Sequence, residues 1–218
     1  MPHPNNVLLT GLVLLLLLLI PVSASGATAI PADTVSPVAP GAITAAATTI
    51  SLEPSKDNTL YQSNTGALSN GAGQYIFAGM TRSNLSRRAV LAFDVANALP
   101  QGAQIISVTL QLNMSKSIAG STPVTVHRLD ADWGEGTSDA SGDEGAGTTA
   151  AAGDATWIHT FSPDGQWKVF GGDFVKDPSA TQSVGSVGLY TWSSSGLARD
   201  VQGWLNAPTT NFGWIVVG

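Results

Sequence analysis

Residues 105–113, with the sequence IISVTLQLN, decide the fold. Apolar and polar residues alternate in this stretch. Successive side chains of a β-strand point to opposite faces, so this period of two predicts a strand with one buried face and one solvated face. The predicted buried face consists of Ile106, Val108, Leu110 and Leu112.

Other short segments on both sides of this strand have the same character. In residues 87–95, Val90 and Ala92 fall opposite Leu91, Phe93 and Val95, as expected for a strand. Glycine-containing turns separate the segments, which is typical of an antiparallel meander or Greek key. Further strands are predicted in residues 75–77, 124–129, 156–161, 189–192 and 213–217.

One helix is predicted near the end of the chain, between Ser194 and Asn206. Leu197, Val201, Trp204 and Leu205 are spaced as one apolar helical face, and Pro208 prevents continuation. Many short strands with one packed helix predict an all-β, jelly-roll-like antiparallel β-sandwich with a short helix near the C-terminus.

The N-terminus carries an apolar run from Leu8 to Ile20, shorter than the ~20 residues of a membrane-spanning helix. Pro21 and several small residues follow, which predicts a secretory signal peptide over residues 1–24 with cleavage after Ala24 or, alternatively, after Ala29. An uncleaved N-terminal anchor is the alternative. Both predict an exported protein, secreted or held at the cell surface, and cleavage leaves no transmembrane segment in the mature chain.

Composition separates a linker from one folded domain. Residues 25–49 are rich in Ala, Pro and Thr and predict a flexible linker, which leaves residues 50–218 as one domain. The chain has no cysteine, and a domain of this size can be stable without disulfides. Its net charge of −6, with only 9 Lys and Arg residues, argues against a nucleic-acid partner.

The segment from Asp130 to Asp154 is strongly acidic. It contains seven of the 15 acidic residues of the chain and no Lys or Arg. Clustered carboxylates in a loop suit Ca²⁺, which accepts six to eight oxygen ligands in irregular geometry. The candidate ligands are Asp132, Glu135 and Asp154, at the ends of the loop. The alternative is a solvated acidic loop, and the composition of residues 137–153 predicts that its middle is disordered.

Six tryptophans lie beyond residue 130. An exposed indole can stack on the apolar face of a pyranose, so tryptophans beside polar turns are candidate sugar platforms. Those candidates are Trp133, Trp157 and Trp167, with a place in the core as the alternative. Trp204, on the apolar face of the predicted helix, and Trp214, at the start of the last strand, are expected in the core.

The sequence lacks several common catalytic motifs. It contains no cysteine nucleophile, no Gly-x-Ser-x-Gly elbow and no His-Glu-x-x-His zinc motif. His127 and His159 lie in predicted strands, where a single histidine is more often a packed or surface residue than a catalytic base. Glycoside hydrolysis needs only two carboxylates across a cleft, but no motif marks such a pair. We therefore expect a non-catalytic module, with a polysaccharide-active enzyme as the weaker alternative.

Several ordered motifs resemble those of the DNRLRE domain family. Residues 57–62, DNTLYQ, are similar to the opening motif of that family, with Gln62 where an acid is usual. The strand at residues 87–95 and the turn ALPQGA at residues 98–103 also resemble family signatures. The remaining matches are DWGEG at 132–136, GDATW at 153–157, GGDF at 171–174 and NFGW at 211–214.

The resemblance covers about residues 50–218 and implies a secreted β-sandwich. Such domains are often attached to polysaccharide-degrading enzymes or surface proteins, and some are carbohydrate-binding modules. The resemblance also implies a further Arg-containing segment and a closing strand after Gly218. We therefore expect a polysaccharide or cell-surface glycan as the ligand, with a structural or adhesive cell-wall module as the alternative, and a fused or neighbouring enzyme or surface protein as a partner.

Overall fold

The computed structural model describes residues 6–19, 47–117 and 119–218. Strands predominate, and their pairings are antiparallel. The helices are α1 (Val95–Ala98), α2 (Ser195–Asn206) and a 3₁₀ turn at Pro208–Thr210. The strands, in chain order, are β1 (Asn6–Leu19), β2 (Ala47–Leu52), β3 (Lys56–Tyr61), β4 (Leu68–Ser69), β5 (Ile76–Met80), β6 (Ser86–Ala92), β7 (Gln104–Lys116), β8 (Thr122–Arg128), β9 (Thr148–Thr149), β10 (His159–Phe161), β11 (Gly165–Gln166), β12 (Ala180–Val184), β13 (Gly188–Ser193) and β14 (Trp214–Val217).

Ten of these strands form one sheet. Its main path runs β12-β8-β14-β6-β5-β1-β7-β13, with β2 paired to β1 and β3 paired to β6. The end strands β12 and β13 also contact each other, so the sheet curls around its contents. The predicted all-β antiparallel sandwich is confirmed.

The main core lies inside this curl, and the alternation of residues 87–95 explains how it forms. Leu91, Phe93 and Val95 point into the main core, whereas Val90 and Ala92 point to the opposite face and join a second core. The predicted division of this strand into two faces is therefore correct. Both faces of β6 are covered, because a hydrophobic core lies on each side of the sheet at this strand.

The strand predicted at residues 105–113 is β7, but one residue of its predicted buried face is wrong. Val108, Leu110 and Leu112 are buried, whereas Ile106 is 44% exposed and Ile105 takes the inward position. The pairing of β7 with β1 shifts by one residue between Ser107 and Ile105. Such an irregularity reverses the alternation of side chains from that point onward.

Helix α2 packs against β7 and carries the predicted apolar face. Leu197, Val201, Trp204 and Leu205 are all buried. The Ser194 side chain accepts a hydrogen bond from the backbone N–H of Leu197, so it is the N-cap. The indoles of Trp204 and Trp214 are 4.7 Å apart between ring centres. Both tryptophans lie in the core, as predicted.

The predicted signal-peptide cleavage sites, Ala24 and Ala29, and most of the predicted linker lie outside the described residues. The first described residue after that gap, Ala47, begins β2, three positions before the predicted domain boundary. Residues 6–19 form β1, a strand inside the large sheet. No helix in the described part of the chain is both long and apolar enough to cross a membrane.

Candidate functional site

The three candidate platform tryptophans meet in the second core. This core covers the outer face of β6 and β14, where Leu60, Val90 and Ile215 present their side chains. The irregular chain between β8 and β12 folds across this face and inserts Trp133, Trp157 and Trp167 into it. Trp133 has no exposed surface, and Trp157 and Trp167 are 9% and 2% exposed.

The polar atoms of these indoles have partners inside the protein. Trp133 Nε1 donates to the Phe212 carbonyl at 2.9 Å, and Trp167 Nε1 donates to the Thr156 carbonyl at 2.9 Å. Two cations cover ring faces. Lys56 Nζ lies 4.4 Å from the centre of the Trp133 ring, and the Arg88 guanidinium carbon lies 4.9 Å from that of Trp157.

The expectation that these rings are exposed platforms is therefore corrected, because a buried ring cannot stack on a sugar. The polar and glycine neighbours of Trp133 and Trp157 indicated a surface turn, and those turns exist. The turns, however, fold the indoles inward against the sheet. The large apolar surface of an indole makes it a strong anchor for a loop that contains few other apolar residues.

The candidate calcium ligand Asp154 has a structural role. Its carboxylate has no exposed surface and accepts hydrogen bonds from the backbone N–H groups of Thr137 and Ala151, at 2.8 and 2.7 Å. A longer bond, at 3.4 Å, comes from the N–H of Ser138. A Cβ atom at Gly136 would lie 1.5 Å from the Asp154 carboxylate, so this position requires glycine. Asp154 therefore closes the acidic loop on itself.

The other two candidate ligands have different partners. Asp132 forms an ion pair with Lys56 at 2.8 Å, and the Glu135 carboxylate accepts a hydrogen bond from the Asp57 backbone N–H at 3.0 Å. Among the described residues, no group of three or more His, Cys, Asp or Glu side chains is arranged to hold a metal ion. The structure does not bring Asp132, Glu135 and Asp154 together as one ligand set, and calcium binding stays a prediction.

Glu135 has a carboxylate neighbour, Asp57, which no motif marked as a partner. Burial, and secondly the charge of Glu135, raise the pKa of the Asp57 carboxyl from 3.8 to about 6. The two residues are 78 positions apart and meet because β3 lies beside the folded acidic loop. A carboxyl group with a raised pKa can serve as a general acid or base, but neither Asp57 nor Glu135 lines the cleft described below.

The middle of the acidic loop is packed, which corrects the predicted disorder of residues 137–153. Glu144 is buried. Its carboxylate accepts hydrogen bonds from the Asn70 side chain at 2.9 Å and from the Tyr75 backbone N–H at 3.1 Å. The Tyr61 hydroxyl donates to the Glu144 carbonyl at 3.1 Å. These bonds tie the loop to the segment between β4 and β5.

Three of the seven acidic residues of the loop form ion pairs with cations from distant parts of the sequence. The loop itself has no Lys or Arg, but β3, β7 and β8 each supply one. The ion pairs are Lys56–Asp132 at 2.8 Å, Lys116–Asp143 at 2.9 Å and Arg128–Asp130 at 3.3 Å. Together with the hydrogen bonds to the Glu144 and Asp154 carboxylates, these pairs give five of the seven acids partners inside the protein.

The two strand histidines have packed positions. His127 is buried, its Nδ1 lies 3.0 Å from the Val175 carbonyl, and its ring contacts Phe174. His159 Nδ1 lies 3.1 Å from the Thr156 hydroxyl. These contacts agree with the expectation that the two histidines are packed or surface residues.

The most enclosed polar cleft of those described lies beside α2. It has a volume of about 390 Å³ and is bounded by the end of β8, the chain at residues 175–179 and one side of α2. Arg128, Arg199, Asp177 and Asp200 bring two positive and two negative side chains to its walls. Motifs did not point to this cleft, because its residues come from four separate segments.

Asp200 is the fixed polar group of this cleft, which we call the α2 cleft. Its Oδ2 atom accepts hydrogen bonds from the Ser179 hydroxyl and from Trp214 Nε1, the latter at 2.8 Å. Its Oδ1 atom lies 3.9 Å from Arg128 Nε. The Asp200 side chain is only 12% exposed, so its carboxylate is held in place before any ligand arrives.

Two glycines of α2 shape the cleft wall. At Gly196 a Cβ atom would lie 2.3 Å from the Ser179 carbonyl, so glycine there permits the close approach of helix and loop. At Gly203 a Cβ atom would meet no atom within 4 Å. A side chain at position 203, which lines the cleft, would therefore project into open space without displacing protein atoms.

No family model matches the chain, and comparisons with curated proteins and with solved structures also give no match.

Proposed function

We propose that this chain is an exported, non-catalytic module that binds carbohydrate, and that the α2 cleft holds the sugar. The supporting observation is that this cleft combines ionic donors and acceptors in one concave site. A sugar presents hydroxyl groups that donate and accept, so both kinds of partner are needed. The cleft volume lies within the 300–1,000 Å³ of ligand pockets. Asp200, fixed by two hydrogen bonds, supplies an oriented acceptor at little entropic cost.

The experiment is to fill the cleft from α2 and measure binding. Gly203→Leu adds a large side chain at a residue that lines the cleft and has open space around its Cβ position. Leucine favours a helix over glycine by about 0.5–1 kcal/mol, so the variant should be at least as stable as the wild type. Retention in affinity gels that contain soluble polysaccharides, neutral and acidic, should fall about tenfold or more.

Gly203→Ala is the matched control, because it gains the same helical preference while adding one carbon atom to the cleft. Its retention should stay close to that of the wild type. Equal retention of Gly203→Leu and wild type, on every polysaccharide that the wild type binds, would contradict the proposal that the sugar binds in this cleft.

A structural or adhesive cell-surface module is the second candidate. The burial of Trp133, Trp157 and Trp167 favours it, because it takes away the aromatic platforms on which many sugar-binding sandwiches depend. A wild-type protein that binds none of the polysaccharides would select this candidate. Two further proposals are compatible with both candidate functions. They are that the chain belongs to the DNRLRE family and that a neighbouring or fused enzyme is its partner.

A further inference from the structure

The strand β1 lies in the interior of the large sheet. It pairs antiparallel with β7 from Leu8↔Lys116 to Leu19↔Gln104. Its other side pairs with β5 near its start and with β2 near its end. The backbone of β1 is thus paired with β7 on one side and, at residues 6–9 and 14–19, with β5 and β2 on the other. Its sequence, NVLLTGLVLLLLLL, carries no charge.

Removal of β1 would leave two facing sheet edges without a partner. One edge belongs to β7, and the other to β5 and β2. The neighbouring strands contribute buried apolar side chains, among them Ile76, Ala78, Leu110 and Met114. Unpaired backbone groups beside such a core are costly, and open edges favour pairing with another chain. Direct closure of the gap would require the two edges to move together by about 4.8 Å, the spacing of one strand.

The segment that forms β1 is also the segment predicted to be removed as a signal peptide. The stretch that cleavage would leave behind contains Pro31, Pro37 and Pro40. Proline has no N–H and is not accommodated in a central strand. That stretch is therefore unable to replace β1. Among the other described strands, none is an uncharged apolar run of comparable length.

We propose that the position of β1 is a strand-acceptor site, filled in the exported protein by an apolar, proline-free strand of a partner polypeptide. The proposal rests on the predicted cleavage and is independent of sugar binding in the α2 cleft. The partner strand runs antiparallel to β7 and is uncharged along the length that β1 occupies. Backbone hydrogen bonds to both edges supply affinity, and the buried residues of β5 and β7 select apolar side chains.

The first test uses the full chain and its lack of cysteine. Leu12 pairs with Leu112 and Val13 with Gln111. Adjacent antiparallel pairs alternate between wide and narrow spacing, about 5.5 and 4.5 Å between Cα atoms, and both fit a disulfide. Mild oxidation of the double-cysteine chain L12C/L112C, or of V13C/Q111C, should give an intramolecular cross-link.

The matched control is the L12C/V108C chain, in which the second cysteine lies four residues, or about 13 Å, from the correct register. It should remain reduced under the same conditions. Cross-linking of the control at the same rate would contradict the pairing of β1 with β7 in this register, and so the proposed site. Absence of a cross-link from both in-register chains would contradict it as well.

The second test asks whether the site accepts a strand from another molecule. The full chain, with a protease site introduced between residues 25 and 46, is folded and then cut. A fluorescent peptide of residues 6–19 with added terminal lysines is supplied in sub-denaturing urea. We expect one peptide to bind per chain as the N-terminal fragment leaves, whereas a peptide with proline at positions 12 and 14 should not bind.

The other outcomes overturn the proposal. Loss of the fragment without uptake of peptide means that the gap closes. Dimers of the cut chain mean that a second copy fills the site. Permanent retention of the fragment without exchange means that the segment is a fixed part of the domain.

Discussion

Replacement of Asp57 by asparagine should stabilise the domain at neutral pH and have little effect at low pH. Burial and the charge of Glu135 raise the pKa of the Asp57 carboxyl from 3.8 to about 6. The folded state therefore binds this proton more tightly than the unfolded state. It follows that the free energy of unfolding is highest below the unfolded pKa, falls as the pH rises through the interval between the two values, and stays lower above it.

The magnitude follows from the two pKa values. At about 1.4 kcal/mol for each pH unit, the difference between 3.8 and about 6 corresponds to about 3 kcal/mol. Asp57 keeps some contact with solvent, so we expect Asp57→Asn to raise the free energy of unfolding at neutral pH by about 1–3 kcal/mol. Glu135→Gln should give a smaller gain, because burial is the larger cause of the raised pKa.

The assay is urea unfolding followed by tryptophan fluorescence, at neutral pH and at about pH 3.5. Asp164→Asn, a change at an exposed carboxylate, is the matched control and should alter stability little at either pH. An Asp57→Asn variant that is no more stable than the wild type at neutral pH would contradict a destabilising Asp57 carboxylate. A gain of equal size at both pH values also refutes it, since it could not come from ionisation.

Two further predictions concern the residues that the sequence singled out. Trp157→Ala should lower the free energy of unfolding by about 3–5 kcal/mol, measured by urea unfolding, because it empties part of the second core. Phe170→Ala, at a residue 54% exposed in the same loop, should cost much less, and equal losses would contradict the core assignment. If Asp132, Glu135 and Asp154 hold Ca²⁺, a hundredfold excess of the ion over its Kd should stabilise the fold by about 2.7 kcal/mol. Melting curves with and without a chelator check this, and unchanged curves contradict it.

Local alternation and helical spacing predicted the parts of the fold that one segment determines. The face of α2 that holds Leu197 and Trp204 and the two faces of β6 are of this kind. The prediction that Ile106 is buried is wrong because the pairing of β7 with β1 shifts by one residue. Such a shift depends on the neighbouring strand, and the alternation of β7 alone does not reveal it.

The candidate site was less predictable because its interactions join distant residues. The acidic segment contains no Lys or Arg, and only the fold brings Lys56 and Lys116 to its carboxylates. Asp57 and Glu135 meet in the same way. A count of charges within one segment overstates the need for a cation when β-strands can deliver compensating side chains from elsewhere.

The motifs that carry the DNRLRE resemblance have a physical role that is separate from ligand binding. Asp154 caps three backbone N–H groups, Gly136 leaves room for that carboxylate, and Trp133 and Trp157 fill the second core. Together they fold an acidic loop, with few apolar residues of its own, onto the outer face of β6 and β14. Such motifs therefore determine how the loop folds. The proposed ligand would bind where side chains remain accessible, and in the described residues the α2 cleft meets that condition.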